Sequence, residues 1–437
     1  MDEFYKRMKQ LLNESYDNFI ASLKQPPYKS FYLNPARNPS FLDKHQDTIT
    51  PHPIVQDSYY YSEEYHPGRS PLFVSGAYYI QEPSAMLVAH YLDVEPDDYV
   101  IDLCAAPGGK TCAVASQLNN QGFMLANDIS NARAKILSEN CERFGLKNTI
   151  VTSANPKSFI GLLDSFFDKV ILDAPCSGEG MLRTTEQAEA TWSEDKVKEC
   201  ALVQRQLIDI AMTLLKPGGT LMYSTCTYAP EENEETIRYA LSHHQCHLVP
   251  LEKSHGLMPG IKMEEAVRCY PHLYQGEGHF MAKLIKDEQG QTKRIKYQTP
   301  SITKKTRAVV EDFYHQHLNI NVPKHLVDHN GHIYAICPQF PELPKIRILR
   351  NGLYLGEVRK NRFIPSHSLA LTLSKDDVKL SYDFDEDDED IKRYLHGETL
   401  PSRGGKGYGV IFVDDQPLSF FKESHEIKNL LPKGLRR

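Results

Sequence analysis

Between about Tyr79 and Lys286, short apolar runs alternate with stretches of helical period, and this alternation constrains the fold more than any other feature of the chain. Tyr99–Leu103, Phe123–Asp128, Thr149–Thr152, Lys169–Asp173 and Gly219–Cys226 read as strands. Thr111–Leu118, Asn131–Phe144 and Asp195–Leu215 read as the helices between them. Strands and helices interleaved at this spacing predict βαβ units, hence an α/β fold with a doubly wound, mostly parallel sheet. Such sheets bind ligands at the carboxyl ends of their strands. Chemistry-bearing side chains are therefore sought at those ends.

With 437 residues the chain exceeds what one core usually holds, so flanking domains are expected. Phe4, Met8, Leu11, Leu12 and Phe19 fall near helical spacing before Pro26-Pro27, which stops the helix, and residues 1–75 read as a small N-terminal α+β lobe. The alternating region occupies 76–287. A basic linker is expected over 288–310, where Lys293, Arg294, Lys296, Lys304, Lys305 and Arg307 stand among few acids. Residues 311–437 then read as a β-rich C-terminal region. Within it Leu343–Phe363 is again basic, Asn351-Gly352 is a strong hairpin signal, and the acidic run Asp383–Asp390 predicts a solvated loop.

The net charge of −7 argues against a protein that coats nucleic acid by bulk electrostatics, which leaves local basic patches. Nine cysteines without a CxxC pair suit a reducing compartment, and no apolar run approaches the ~18 residues of a membrane span, so a soluble, cytoplasmic protein is expected. His243-His244-Gln-Cys246-His247 lacks a second ligand pair at zinc-like spacing, and no metal is expected.

Two constellations sit at predicted strand ends. Asp102-Leu-Cys-Ala-Ala-Pro-Gly-Gly-Lys110 joins a strand to a helix through small residues, which let a ligand approach the backbone. It has neither dinucleotide-loop nor P-loop spacing. Asp128 ends the next strand, where open α/β nucleoside sites keep an acid for ribose hydroxyls. The second constellation is Asp173-Ala-Pro-Cys176-Ser-Gly, matched at the end of the following strand by Tyr223-Ser-Thr-Cys226. Neighbouring strands lie ~4.8 Å apart, so the two thiols would face one cleft beside a carboxylate. Such a set suits methylation at carbon 5 of a pyrimidine. A thiolate adding to carbon 6 makes carbon 5 nucleophilic, a carboxyl group bonds to or protonates ring nitrogen 3, and a second acid/base removes the carbon-5 proton. Lys110 is the nearby cation available to favour a thiolate. Spacing alone does not say which cysteine attacks.

The ordered motifs Tyr79-Ile-Gln-Glu-Pro-Ser84, Cys104-Ala-Ala-Pro-Gly-Gly-Lys110, Asp173-Ala-Pro-Cys176-Ser-Gly, Ser224-Thr-Cys226-Thr-Tyr228 and Glu231-Glu-Asn-Glu234 resemble the Nop/Sun family of RNA cytosine carbon-5 methyltransferases. The resemblance implies S-adenosylmethionine as cofactor, Cys226 as nucleophile and Cys176 as the thiol that assists product release, with Asp173 and Lys110 completing the catalytic set. It implies cofactor contacts from Cys104, Ala105, Ala106, Pro107, Gly108, Gly109 and Lys110, from Asp128 on the ribose, from Arg133 and from Asp173. Where Asn155 stands the family usually has Asp; its side-chain oxygen still accepts from an adenine amine. Asn429-Leu-Leu-Pro-Lys-Gly-Leu-Arg436 resembles the PUA-like RNA-binding extension of bacterial small-subunit ribosomal RNA methyltransferases of the RsmF kind. The implied substrate is 16S ribosomal RNA, in the small subunit or an assembly intermediate. The rival readings are the same chemistry on transfer RNA and a non-catalytic RNA-binding protein of ribosome assembly.

Overall fold

The computed structural model describes residues 2–118, 121–183, 192–287 and 295–437. Its centre is a ten-stranded mixed sheet. In chain order the strands are β1 (Tyr99–Asp102), β2 (Phe123–Asn127), β3 (Thr149–Ser153), β4 (Phe167–Asp173), β5 (Leu215–Thr225), β6 (Cys246–Val249), β7 (Met258–Gly260), β8 (Met263–Cys269), β9 (His279–Lys286) and β10 (Arg347–Asn351). They lie in the order β7-β8-β9-β5-β4-β1-β2-β3-β10, with β6 also paired to β9. The five central strands are parallel, as the alternation predicts, and antiparallel strands close both flanks. Strand order reverses between β1 and β4, which opens a crevice at their carboxyl ends.

Period-two alternation assigns the two faces of this sheet. Ile101, Leu125, Val170 and Leu221 point to one side, where they pack on Ile208, Ala211 and Leu214 of the long helix α4 (Glu194–Leu214). Val100, Met124, Ile171 and Met222 point to the other, against α1 (Pro83–Leu92), α2 (Gly109–Gln117) and α3 (Asn131–Arg143). Helix starts follow local chemistry. Ser193 accepts from the Lys196 amide at 3.1 Å, Ser130 caps α3, and Glu82 accepts from the Ser84 and Ala85 amides at the start of α1.

At the N-terminus, helices Asp2–Leu12 and Tyr16–Leu23 place Phe4, Met8 and Phe19 against Tyr228 and Tyr270 of the central domain. A four-stranded antiparallel sheet follows, in the order 49–51, 58–61, 30–33, 78–80. Neighbouring residues of its inner strand serve two cores. Tyr32 joins the core on the α1–α3 side of the central sheet, and Phe31 joins a cluster with Phe384, Tyr394, Ile411 and Phe421 near the C-terminus.

Three expectations are corrected beyond residue 288. Residues 288–294 of the basic stretch lie outside the described residues, and its later part is not a linker, because Lys304–His317 forms helix α5, capped by Thr303, whose apolar residues Val310, Phe313 and Tyr314 are buried. Asn351-Gly352 does not close a hairpin. Arg347–Asn351 pairs with β3 of the central sheet, and the chain turns at Gly352 (φ +75°) into Leu353–Arg359 of a separate four-stranded sheet. Register decides this: Arg350 donates to the Leu146 carbonyl at 2.7 Å, and Asn351 exchanges side-chain amide bonds with Gln298. The acidic run is not merely solvated either. Glu386, 8% exposed, takes bonds from His45 and Ser70, and Asp385 pairs with Lys44 at 2.7 Å, so the run clasps the N-terminal lobe. The expected single C-terminal region thus contains two sheets, the second built from 381–384, 400–401, 407–413, 416–423 and 426–429.

Phe31 is fully buried between the lobe and the C-terminal sheet. Truncation to Ala is expected to cost about 3–5 kcal/mol, measured by urea unfolding, with the lobe and the C-terminal sheet losing amide-exchange protection together.

Candidate active site

The site forms where β1, β4 and β5 end. Parallel register sets Asp173 opposite Ser224, and the two chains then turn outward, each carrying a cysteine just beyond its strand. The Cys176 and Cys226 sulfurs are 3.2 Å apart. Asp173 lies beside them. Its Oδ2 accepts from Lys110 Nζ at 2.8 Å and its Oδ1 from the Ser224 hydroxyl at 2.8 Å. The four residues expected to carry the chemistry are therefore brought together.

The electrostatics follow from enclosure. Burial works to raise Asp173, but the Lys110 ammonium outweighs it, and the carboxyl stays below its ordinary range. Lys110 is held protonated by the same contact, against its own burial. The hydrogen bond with Cys226, then burial, pushes the Cys176 thiol well up. Either sulfur can be the S–H donor in their contact. Lys110, expected to face a thiolate, spends its closest contact on Asp173 instead.

The 104–110 loop crosses from β1 to α2 on small residues. Gly108 sits at φ +116°, a conformation that favours glycine, and a Cβ at Gly109 would displace the Gln81 side-chain amide. Asp102, pushed up to about 7 by burial, is tied down by the Thr111 hydroxyl at 2.8 Å and the Cys104 amide. The Cys104 thiol is also pushed up by burial. At the end of β2, Asp128 accepts from the Ala106 and Ser130 amides through separate oxygens. Each oxygen keeps a lone pair for a ribose hydroxyl, so the donor set fits a nucleoside. Arg133 bonds the Ala106 carbonyl at 2.5 Å and lies 3.5 Å from Asp128, so it braces the loop from outside. Asn155 is exposed beyond β3, and its side-chain oxygen already accepts from the Lys157 amide as a helix cap.

Three further groups beside the thiols carry little or no signal in the sequence. Glu232, fully buried, accepts from the Ser177 amide and Gln204. Glu179 accepts from Trp192, Thr227 and the Tyr228 amide. His279, on β9, is buried with Nε2 3.9 Å from Asp173, and burial lowers it to about 3, which keeps it neutral. The only signal for Glu232 is its place in Glu231-Glu-Asn-Glu234. Glu179 stands between glycines, and His279 offers no signal. Glu234 of the same motif forms a buried two-pronged pair with Arg268 at 2.6 and 2.7 Å, which holds the 226–234 turn to β8. His244 bonds Asp209, and among the described residues no cluster of three or more metal-ligating side chains occurs and no helix is long and apolar enough to cross a membrane.

Comparison with known proteins gives this geometry a family. A profile described as 16S rRNA methyltransferase RsmB/F matches residues 89–285. The N-terminal domain, first C-terminal domain and PUA domain profiles of RsmF match 1–83, 312–373 and 381–437. The ribosomal RNA small subunit methyltransferase F of Vibrio vulnificus is 32% identical over 100% of this chain and 97% of its own length. The chain belongs to the RsmF methyltransferase family. The RsmF protein of Cronobacter sakazakii is 31% identical, over 96% of this chain and 92% of its own. Among solved structures, a methyltransferase homologue from Pyrococcus horikoshii superposes with a TM-score of 0.58 at 30% identity, covering 65% of this chain and 95% of that one. The two C-terminal RsmF profiles coincide with the two separate sheets beyond residue 310.

Burial pushes Glu232 up from its ordinary 4.5 to about 7. A carboxyl raised on folding is ionised in the unfolded chain first, so its contribution to stability declines as pH rises between those two values. Between pH 4.5 and 7, wild type is therefore expected to lose unfolding free energy relative to Glu232→Gln, as read by urea titrations at several pH values. A constant difference would show that Glu232 ionises normally.

Proposed function

We propose that the protein transfers a methyl group to carbon 5 of a cytosine in 16S ribosomal RNA through a covalent thiol–base adduct. The observation that carries this reading is the pair of sulfurs 3.2 Å apart with a lysine-bound carboxylate beside them. Two neighbouring thiols suit carbon-5 chemistry, one to add to carbon 6 and the other to take the carbon-5 proton. The ribosomal substrate is supported by the names and full-length likeness of the RsmF relatives.

S-adenosylmethionine supplies an electrophilic methyl group when bound. The 104–110 loop, Asp128 and Asp173 would hold it at the crevice, with Arg133 bracing the loop, and Asn155 is left to offer its remaining lone pair to an adenine amine. On the RNA side, the target cytosine must leave its stack to reach thiols at a sheet edge. Cys226 attacks carbon 6 as thiolate. The proton that the Cys226 thiol gives up passes through the Asp173 carboxylate to nitrogen 3, and Asp173, kept anionic by Lys110, then accepts hydrogen bonds from that N–H and from the exocyclic amine, which stabilises the enamine. Carbon 5 then becomes the nucleophile. After it is methylated, Cys176, its own proton first released to solvent, takes the carbon-5 proton, and Cys226 leaves by elimination as nitrogen 3 returns its proton through Asp173 to the departing sulfur.

Cys226→Ala is expected to abolish transfer of tritiated methyl groups to small ribosomal subunits, a loss of at least ~10³-fold, comparable with removal of other nucleophiles. Cys176→Ala is expected to accumulate a protein–RNA adduct that survives denaturing electrophoresis. Adduct formation by the Cys226 variant instead would reverse the two roles, and absence of transfer by wild type to any ribosomal RNA would remove the reading.

A further inference from the structure

Away from the thiols, a groove of about 1200 Å³ runs between helix α5, the turn joining strands 353–359 and 362–365, and the strand ends at Tyr408 and Lys422. It is built from both C-terminal units. Four cations line it, Arg359, Lys360, Arg362 and Lys422, all exposed, against the single carboxylate Asp312 in its lining. In a chain of net charge −7 this is a local concentration of positive charge.

Two features of the turn cost stability and point to an anion. Arg359 and Arg362 are direct cross-strand partners, and like charges in that register repel. Lys360 and Asn361 both have positive φ, at 48° and 58°, and a lysine gains nothing from that conformation in a turn where Asn-Gly would be favoured. Within the chain, Arg359 is partly neutralised by Glu357, but Lys360, Arg362 and Lys422 have no carboxylate partner among the described residues. The opposite wall is aromatic. Tyr408 is half-buried, touches Phe313 and His317 edge-on, and lies 5.2 Å beneath the Lys422 ammonium.

We propose that this groove binds the RNA backbone beyond the target nucleotide, with phosphates bridging Arg359 and Arg362 across the turn and a third contact at Lys422. The inference rests on the RNA methyltransferase reading above. Phosphate relieves the arginine repulsion, and guanidinium forks match its oxygens geometrically. An acidic protein segment has the same charge but is not a substrate of the proposed reaction.

The test uses the full-length protein and a fluorescent 16S ribosomal RNA fragment containing the methylated cytosine. The variants are Arg359→Gln/Lys360→Gln/Arg362→Gln together and, separately, Lys422→Gln on another strand. The triple variant should bind roughly tenfold or more weakly, and its log-affinity against log-salt line should flatten by about 1.4–1.8, since each of the two arginine contacts contributes ~0.7–0.9 to the slope. Lys422→Gln should flatten it by about 0.7–0.9. Unfolding midpoints should equal wild type for Lys422→Gln and equal or slightly exceed it for the triple variant, because all four side chains are exposed and the triple variant removes the Arg359–Arg362 repulsion. Wild-type binding with unchanged slopes in both variants would overturn the groove while leaving the activity intact. Failure of wild type to bind or methylate the fragment would overturn the activity reading and the groove with it. Polyglutamate binding as tight as RNA, and lost in the triple variant, would overturn the RNA assignment and give the groove to an acidic protein partner.

Discussion

The contact on which the site depends is the ion pair between Lys110 and Asp173. It joins the first turn of α2 to the end of β4, and Ser224 extends it to β5, so one carboxylate fixes three elements around the crevice. Two charges drawn from water in this way are stable only as a pair, since loss of one partner leaves the other uncompensated. The same pairing decides the chemistry available. Burial works to raise Asp173 as it raises the more deeply buried Asp102 and Glu232, and among these three only Asp173 has a cation bonded to it.

What sits one layer further out serves position more than reaction. The turn from Cys226 to Glu234 has its own internal frame, in which Asn233 accepts from Thr225 at 2.5 Å and donates to the Thr227 carbonyl, while Arg268 grips both Glu234 and the Tyr228 carbonyl. The N-terminal helix pair leans on that turn through Phe19 and Tyr228. The motif Glu231-Glu-Asn-Glu234 is thus spent on holding Cys226 at the height where Cys176 meets it.

Much of this arrangement is legible in the amino-acid order alone, because the decisive signals are local. Alternating apolar runs define strands β1 to β5, and a strand end followed by a small-residue turn places Asp102, Asp173, Cys176 and Cys226 without knowledge of the rest. The departures share a different cause. Asn351-Gly352 has hairpin chemistry, yet an open edge at β3 and the Arg350–Leu146 bond claim the preceding strand for another sheet. Seven-fold acidic repetition predicts solvation, yet Lys44, His45 and Ser70 wait more than three hundred residues upstream to receive it. His279 reaches the site only because β9 runs antiparallel beside β5, and nothing in its immediate sequence announces that neighbour. Long-range pairing decides each case, and a single sequence does not display it.

The sharing of one apolar cluster by Phe31, Tyr78, Ile411 and Phe421 has a consequence for biosynthesis. Phe31 precedes the catalytic domain in the chain, whereas Ile411 and Phe421, which join it in that cluster, follow the catalytic domain. Until those strands are made, that face lacks part of its cover, so docking of the lobe waits on segments synthesised well after the catalytic domain.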